Sequence, residues 1–206
     1  MTAIRNALLG GALLATFAIA GVAMVAFTWK NTAPQITENQ RHVLTSRLHE
    51  IIPPEAHDND LLDDAITVQD SERLDTTAPV TVYRAYKNGA PVAALFTSVA
   101  PDGYSGPIYL LVGIHADGRI AGVRVLSHKE TPGLGDPIEI ERSDWITGFD
   151  GKALGKPALE QWDVKRYGGV FDQFTGATIT PRAVVRAVKN TLIYFEQHRD
   201  EIFARQ

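Results

Sequence analysis

The feature that most limits the folds open to this chain is an apolar run near its N-terminus, from Ala7 to Thr28. The run spans 22 positions without one charged residue. At about 1.5 Å per residue, a helix of that length covers roughly 30 Å, the thickness of the hydrocarbon core of a bilayer. A helix in a soluble core would carry a polar face, whereas the polar side chains here are those of Thr16 and Thr28. The sequence therefore predicts a transmembrane helix over residues 7–29.

A cleaved signal peptide is the alternative to a retained anchor. Ala18-Ile19-Ala20 resembles the small-residue site at which a signal peptide is cut. The apolar run is nevertheless longer than the ~7–15 residues typical of a signal peptide. It also continues past that site to Trp29, a residue type that is common at the membrane interface. We therefore expect the helix to remain in the mature protein as a single-pass anchor.

Positive charges decide little about the orientation of this helix. The α-amine and Arg5 precede the apolar run, and Lys30 and Arg41 follow it, so the charges counted by the positive-inside rule are nearly balanced. A long domain after the helix can be translocated largely regardless of charge. We therefore expect residues 1–6 to form a cytoplasmic tail and the large domain to lie outside the cytoplasm.

Composition excludes several classes of function. The net charge of −4 and the lack of a basic stripe with interleaved aromatic residues argue against nucleic acid as a partner. The chain has no cysteine, which removes thiolate metal sites, iron–sulfur clusters and disulfides. The six histidines form no i, i+4 pair and no dense cluster with carboxylates, so we expect no metal site.

The segment between the helix and the domain, residues 30–75, is predicted to hold a linking helix and an acidic loop. Residues 31–52 are polar and helix-prone, and Pro53-Pro54 would end that helix. Residues 57–75 are rich in Asp and Glu but lack the spacing and the central glycine of an EF-hand. This second stretch is therefore predicted to be a solvated loop.

The remaining residues, 76–206, show the pattern of an α+β domain. Asn88-Gly89 and Asp117-Gly118 each separate two strand-like runs, which predicts two hairpins and four antiparallel strands. The strand-like runs are VTVYRAY (80–86), PVAALFTSV (91–99), IYLLVGI (108–114) and IAGVRVL (120–126). Residues 139–146 are predicted to hold a short helix. Residues 181–204 are predicted to form a long one, with Thr180 as its N-cap and Pro181 at its first position.

Three glycine-bearing segments stand out as a candidate site: GYSGP (103–107), ETPGLG (130–135) and FTGAT (174–178). Each could be an ordinary turn. FTGAT leads into a helix, however, and a helix N-terminus favours an anion such as a phosphate group. Residues 172–181 contain no His, Cys or Lys, so Thr178 cannot be a self-activating nucleophile. Taken alone, the segment is therefore either an anion-binding site or an ordinary glycine turn followed by a helix cap.

Taken together, these segments resemble a known family. FTGAT followed by ITPRAVV, with ETPGLGD, SDWIT and GYSGP upstream and an N-terminal anchor, is similar to the FMN-binding domains of bacterial redox-driven ion pumps. The resemblance is closest to the G subunit of the Rnf (Rsx) electron transport complex. Related domains occur in the FMN-carrying C subunit of the sodium-pumping NADH:quinone oxidoreductase, which is a second possibility. The resemblance implies that Thr178 carries FMN through a phosphoester bond.

The resemblance also implies further site residues. Thr175, Gly176 and Ala177 would position the attachment point. A loop against the flavin ring would be formed by Glu130, Thr131, Gly133, Leu134 and Gly135. Trp145 could contact the ring or belong to the core, and Lys165 could stabilise reduced-flavin charge near N1 or simply be solvated. No catalytic residue and no metal ligand is expected.

The function implied is that of an electron carrier. The chain would be a flavoprotein anchored in the bacterial inner membrane, with its large domain in the periplasm. It would work with the other members of the Rnf complex, which couple electron transfer to cation translocation and in related bacteria keep the redox sensor SoxR reduced. A separate periplasmic, Mg²⁺-dependent flavin transferase would install the FMN from FAD. A flavin-free extracytoplasmic scaffold or sensor domain is the alternative from another class.

Overall fold

The computed structural model describes residues 2–204, apart from the side chain of Thr37. The chain divides into two compact units, Met1–Leu44 and Thr45–Gln206. A single long helix, α1 (Thr2–Ile51), forms the first unit and ends inside the second. The helix contains Pro34 and is continuous across residue 30, where the sequence predicts the change from anchor to linking helix.

The N-terminal part of α1 is apolar on every side. Leu14, Phe17 and Phe27 are about 70% exposed. The hydroxyls of Thr16 and Thr28 donate to backbone carbonyls four residues earlier, at 2.9 Å, so they are satisfied without water. By length and composition the helix can cross a membrane, as predicted. The exact limits of tail and span remain predictions.

The second unit is built on one antiparallel sheet. Its five strands lie in the order of the chain: β1 (Ala65–Val68), β2 (Val80–Lys87), β3 (Ala90–Ala100), β4 (Ile108–His115) and β5 (Ile120–Ser127). Both predicted hairpins are confirmed, and Asn88 and Gly89 have the positive φ angles, 51° and 80°, of a type I′ turn. The α+β class is confirmed as well.

The segment predicted to be a solvated loop, residues 57–75, contains one strand that the sequence did not predict. The short strand β1 lies within it and pairs with β2 along the edge of the sheet. Four residues are too few to show a period-2 pattern against the surrounding acidic residues, and only the pairing with β2 makes them a strand.

Both faces of the sheet are buried. On one face Phe96, Leu110 and Val112 form the main core with the second long helix, α2 (Ile179–Phe203). On the other face the end of α1 buries Leu48 and Ile51. Ile51 lies over two glycines that face each other across β4 and β5, Gly113 and Gly122. A Cβ at Gly113 would lie 2.4 Å from Ile51 Cγ2, so a glycine there leaves the space for this side chain.

The remaining elements are short 3-10 helices, at Pro54–Ala56, Asp136–Ile138, Asp144–Phe149, Leu159–Gln161 and Lys165–Tyr167. Of the short helix predicted over residues 139–146, residues 139–143 form a turn, and residues 144–146 belong to the 3-10 helix Asp144–Phe149. The prediction for the start of α2 was also wrong, because Thr178 is its N-cap and Thr180 and Pro181 lie within its first turn. Proline is tolerated there since the first-turn N–H groups have no partner within the helix.

Candidate functional site

Two similar tight turns bring the candidate segments together. In the first, the N–H of Ala177 donates to the carbonyl of Phe174 at 3.2 Å, and Gly176 has a φ of +83°. In the second, the N–H of Leu134 donates to the carbonyl of Thr131 at 3.1 Å, and Gly133 has a φ of +78°. A positive φ at the third position is what a type II turn requires, and glycine adopts it without steric cost.

The two turns are in contact. The Cδ2 atom of Leu134 lies 3.5 Å from the position that a Cβ on Gly176 would occupy. Leu134 therefore lies over the FTGAT turn, although the side chain is still 46% exposed. The sequence predicts both segments, and the fold brings them together.

A buried carboxylate joins these segments to a third. Glu130 is 4% exposed. Its Oε1 accepts a hydrogen bond from the N–H of Ser105 at 2.9 Å, and its Oε2 accepts one from the hydroxyl of Thr180. One side chain thus links GYSGP, ETPGLG and the start of α2.

Two glycines make room for this carboxylate. A Cβ on Gly135 would lie 2.8 Å from Glu130 Cβ. A Cβ on Gly103 would lie 2.2 Å from the carbonyl oxygen of Gly106 and 2.9 Å from Glu130 Oε1. Gly135 has a φ of −100°, which other residues also adopt. Space, and not backbone conformation, therefore requires glycine at residue 135.

His128 holds the start of the ETPGLG segment. Its Nδ1 accepts a hydrogen bond from the N–H of Glu130 at 2.9 Å, so the ring proton lies on Nε2. That nitrogen donates to Glu139 Oε1 at 3.0 Å. Both sides of the imidazole are therefore used to fix the backbone that leads from β5 into the turn.

The three segments enclose a cleft of about 170 Å³. Pockets that enclose a drug-sized ligand usually measure about 300–1,000 Å³, so this cleft can hold part of a ligand and leave the rest exposed. Its lining includes seven residues named from the sequence: Glu130, Thr131, Leu134, Gly135, Gly176, Ala177 and Thr178. The sequence interpretation missed three others: Tyr104, Ile179 and Thr180.

The sequence indicates the three missed residues to different degrees. Tyr104 lies within GYSGP, a segment that the sequence marks, but no side chain in it was singled out. The sequence predicts Thr180 as a helix cap, whereas its hydroxyl donates a hydrogen bond to Glu130. Nothing in the sequence pattern distinguishes Ile179.

Thr178 lies at the rim of this cleft, and its hydroxyl forms no hydrogen bond that caps the helix. The residue is the N-cap of α2, yet its side chain makes no capping hydrogen bond. It is half-buried and is preceded by the small residues Gly176 and Ala177. The capping alternative for Thr178 is therefore not what the structure shows. The helix N-terminus still provides free N–H groups and a positive dipole end at this point.

Four of the residues named from the sequence do not line the cleft: Thr175, Gly133, Trp145 and Lys165. Trp145 packs edge-on against Phe149 and Phe174, with ring centroids 5.5 and 5.1 Å apart. Its indole N–H donates to the carbonyl of Asp172 at 2.8 Å. This contact holds the backbone just before the FTGAT turn.

Lys165 is exposed and forms an ion pair with Asp172, at 2.6 Å between Nζ and Oδ1. Asp172 therefore contacts both Trp145, through its carbonyl, and Lys165, through its carboxylate. The positive charge of Lys165 is already compensated by this neighbour. Any field that the ammonium group exerts on the cleft is weakened accordingly.

A larger hollow of about 340 Å³ also reaches Ile179. Its charged side chains are mostly paired with each other, Arg182 with Asp163 and Arg186 with Asp102. No residue named from the sequence as a site residue lines it. Across residues 2–204, no group of three His, Asp or Glu side chains is arranged to hold a metal ion.

Comparison with known proteins agrees with this geometry. Residues 103–193, which contain all three segments, match the family model of the FMN-binding domain. Residues 1–51 match the model of the RnfG N-terminal region, which corresponds to α1. The class of protein is thus an FMN-binding domain carried on an apolar N-terminal helix.

The similarity to curated relatives extends over the whole chain. The chain is 46% identical over 200 residues to the G subunit of the ion-translocating oxidoreductase complex of Shewanella piezotolerans, covering 97% of this chain and 94% of the relative. It is 49% identical to the G subunit of Pseudomonas aeruginosa, covering 98% and 92%. It is 45% identical to the G subunit of Vibrio cholerae, covering 98% and 95%. The chain belongs to the family of G subunits of ion-translocating oxidoreductase complexes.

The predicted resemblance to the Rnf protein is therefore confirmed. Matches at this level over nearly the full length favour it over the related protein of the sodium-pumping quinone reductase. The apolar helix and this family membership together indicate association with a membrane.

Proposed function

We propose that this chain is an electron carrier within an ion-translocating oxidoreductase complex, with FMN bound covalently to Thr178. The observation that carries the proposal is the position of the Thr178 hydroxyl. It lies at the N-terminus of a 25-residue helix, at the rim of a cleft, and it does not cap the helix. A phosphoester there would place its negative charge at the positive end of the helix dipole.

The residues around Thr178 fit an FMN group. The two residues before Thr178, Gly176 and Ala177, have small side chains and so leave the hydroxyl approachable. The cleft combines apolar surface from Leu134 and Ile179 with the polar groups of Thr131 and Glu130. Such a mixture is typical of sites for aromatic cofactors. Its small volume implies that one part of the cofactor stays exposed, as a carrier that exchanges electrons with partners requires.

Each part of the chain then has a separate task. The flavin would supply the redox chemistry, accepting and donating electrons one or two at a time. The protein would retain it, because a covalent link turns binding into an intramolecular event. The ETPGLG turn and Glu130 would shape the surroundings of the ring. The chain by itself would convert no substrate, and cation translocation would belong to the assembled complex, as would any reduction of SoxR.

The proposal includes the partners and the location. Other members of the complex would be bound in the bacterial inner membrane through α1. The second unit would lie in the periplasm, where a flavin transferase acting on FAD could reach Thr178. The uncommitted hydroxyl and its small neighbours support such access.

The test is the intact mass of the full chain after expression with and without a flavin transferase. We expect the mass of one FMN phosphoester only when the transferase is present. Thr178→Ala should lose this mass, together with the fluorescence of the flavin in a denaturing gel. Thr175→Ala, a matched change three residues earlier, should keep at least part of both.

The competing function is a flavin-free scaffold. A chain that stays unmodified beside an active transferase would support the scaffold and contradict the carrier. Fluorescence that survives in Thr178→Ala would instead show that the flavin is attached elsewhere.

A further inference from the structure

We propose that Glu130 sets how readily the bound flavin is reduced, with Thr180 and Ser105 holding its carboxylate in place. This inference rests on the proposed attachment of FMN at Thr178. It assigns to Glu130 an electrostatic role as a positioning residue beside the cofactor, in addition to its place in the lining of the cleft.

The first reason is the state in which the carboxylate is held. Both oxygens accept hydrogen bonds, Oε1 from the N–H of Ser105 and Oε2 from the hydroxyl of Thr180. These donors suit an ionised carboxylate, which is an acceptor only. Both are neutral, so they hold the negative charge without cancelling it.

The second reason is burial. Glu130 is 4% exposed and lines the cleft, and Thr180 is fully buried beneath it. Water screens such a charge far less than it screens a surface charge. A buried carboxylate is costly for folding, and a neutral side chain of similar shape would avoid that cost. Because the Glu130 carboxylate lines the cleft, its charge would act on a flavin bound there.

The sign of that effect follows from charge alone. Reduction adds electrons to the flavin, and a fixed negative charge nearby opposes this addition. Glu130 should therefore lower the midpoint potential. The candidate with the opposite sign, Lys165, is exposed and paired with Asp172, so its influence should be smaller.

The experiment is a redox titration of the full-length, flavinylated protein in detergent, with FMN content checked by intact mass. Glu130→Gln keeps an acceptor for Ser105 and a polar partner for Thr180 while removing the charge. We expect the ratio of reduced to oxidised flavin at a fixed potential to rise at least tenfold. For a two-electron couple this corresponds to about 30 mV.

Thr180→Val is the matched change that removes a hydrogen bond and keeps the charge. We expect it to shift the ratio less than threefold, and Thr180→Ser to restore the wild-type value. If Glu130 served only to hold the three segments together, Thr180→Val would shift the ratio as much as Glu130→Gln. That result would overturn the inference, as would an unchanged ratio in Glu130→Gln.

A pair of shorter side chains covers the case in which Glu130→Gln fails to fold. Glu130→Asp and Glu130→Asn differ in charge but hardly in size, so the same tenfold difference is expected between them, and equal ratios would overturn the inference. The two proposals also fail in different ways. Wild-type protein without FMN by mass would contradict the proposed function, whereas flavinylated variants with unchanged ratios would contradict only the role of Glu130.

Discussion

The four glycines around the cleft are required for two different physical reasons. Gly133 and Gly176 have φ angles of +78° and +83°, where a side chain is strained. Gly135 and Gly103 are instead close to Glu130, where a Cβ would meet its atoms at less than 3 Å. A substitution at the first two would distort a turn. One at Gly135 would displace the buried carboxylate, and one at Gly103 would clash first with the carbonyl oxygen of Gly106, 2.2 Å away. Leu134 is therefore a better probe of the site than any of these glycines.

Replacing Leu134 with Glu tests whether the ETPGLG turn lies against the flavin. The side chain is half-exposed, so the change should not unfold the domain. A new negative charge over the FTGAT turn should lower the midpoint potential or change the visible spectrum of the flavin. The phosphoester should survive, because Leu134 makes no bond to Thr178. The measurement is a redox titration with FMN content determined by mass.

Leu159→Glu is the control for that experiment. Leu159 is 50% exposed, much like Leu134 at 46%, but it does not line the cleft. It should leave both potential and spectrum unchanged. If Leu134→Glu is fully flavinylated and also leaves the potential and the spectrum unchanged, the ETPGLG turn does not line the flavin ring.

At the scale of elements, the end of α1 is fastened to the sheet by both packing and charge. Ile51 fills the space over Gly113, and Arg124 on β5 donates to Glu50 at 2.9 Å. Arg47 pairs with both Glu50 and Glu141. The hydrogen bond from Arg47 lowers the pKa of the Glu141 carboxyl, so this carboxylate keeps its charge to lower pH than an isolated one. The last turns of α1 are thus part of the domain.

Gly113→Ala tests this attachment. The new Cβ would meet Ile51 at 2.4 Å, so we expect a loss of about 1–3 kcal/mol in the free energy of unfolding of the domain, as for other overpacked sites. Gly122→Ala is the matched control, because its Cβ would lie 3.4 Å from Ile51. Urea unfolding of the detergent-solubilised chain measures both. In an Ile51→Ala background, which is destabilised in its own right, Gly113→Ala should cause a much smaller further loss, and an undiminished further loss would show that Ile51 is not the cause.

At the scale of the whole molecule, the chain combines an apolar helix with a domain that carries its own core. The apolar side chains of the first unit are exposed and would be unfavourable in water. The apolar stretch of the helix is long enough to cross a bilayer. The second unit buries both faces of its sheet within residues 45–206. This division suits the proposed carrier, which the first unit would hold at the membrane.

Topology is testable with reporters fused after Gln206. We expect a reporter that is active only in the periplasm to work, and one that is active only in the cytoplasm to fail, because the short N-terminal tail should stay inside. The intact mass of the mature protein should include residues 1–29. An N-terminus near Gly21 would show that the helix is a cleaved signal, and an active cytoplasmic reporter would reverse the orientation.

The sequence by itself determined the features that depend on neighbours along the chain. The apolar run, the Asn88-Gly89 and Asp117-Gly118 hairpins and the long C-terminal helix follow from local periodicity and turn chemistry. The glycine segments were visible for the same reason, and their combination identified the family. Thr178 was singled out in this way, through a motif and not through any contact.

Only the tertiary structure decided which groups meet. Glu130 joins Ser105, 25 residues earlier, to Thr180, 50 residues later, and no local pattern encodes either partner. The strand β1 exists because β2 offers it hydrogen bonds, and Gly113 matters because Ile51 reaches it. Thr180 looked like a helix cap because its neighbours in sequence suit one. The helix begins at Ile179, two residues earlier than predicted, so the hydroxyl of Thr180 lies within the first turn and donates to the buried Glu130, whose carboxyl oxygen needs a partner there.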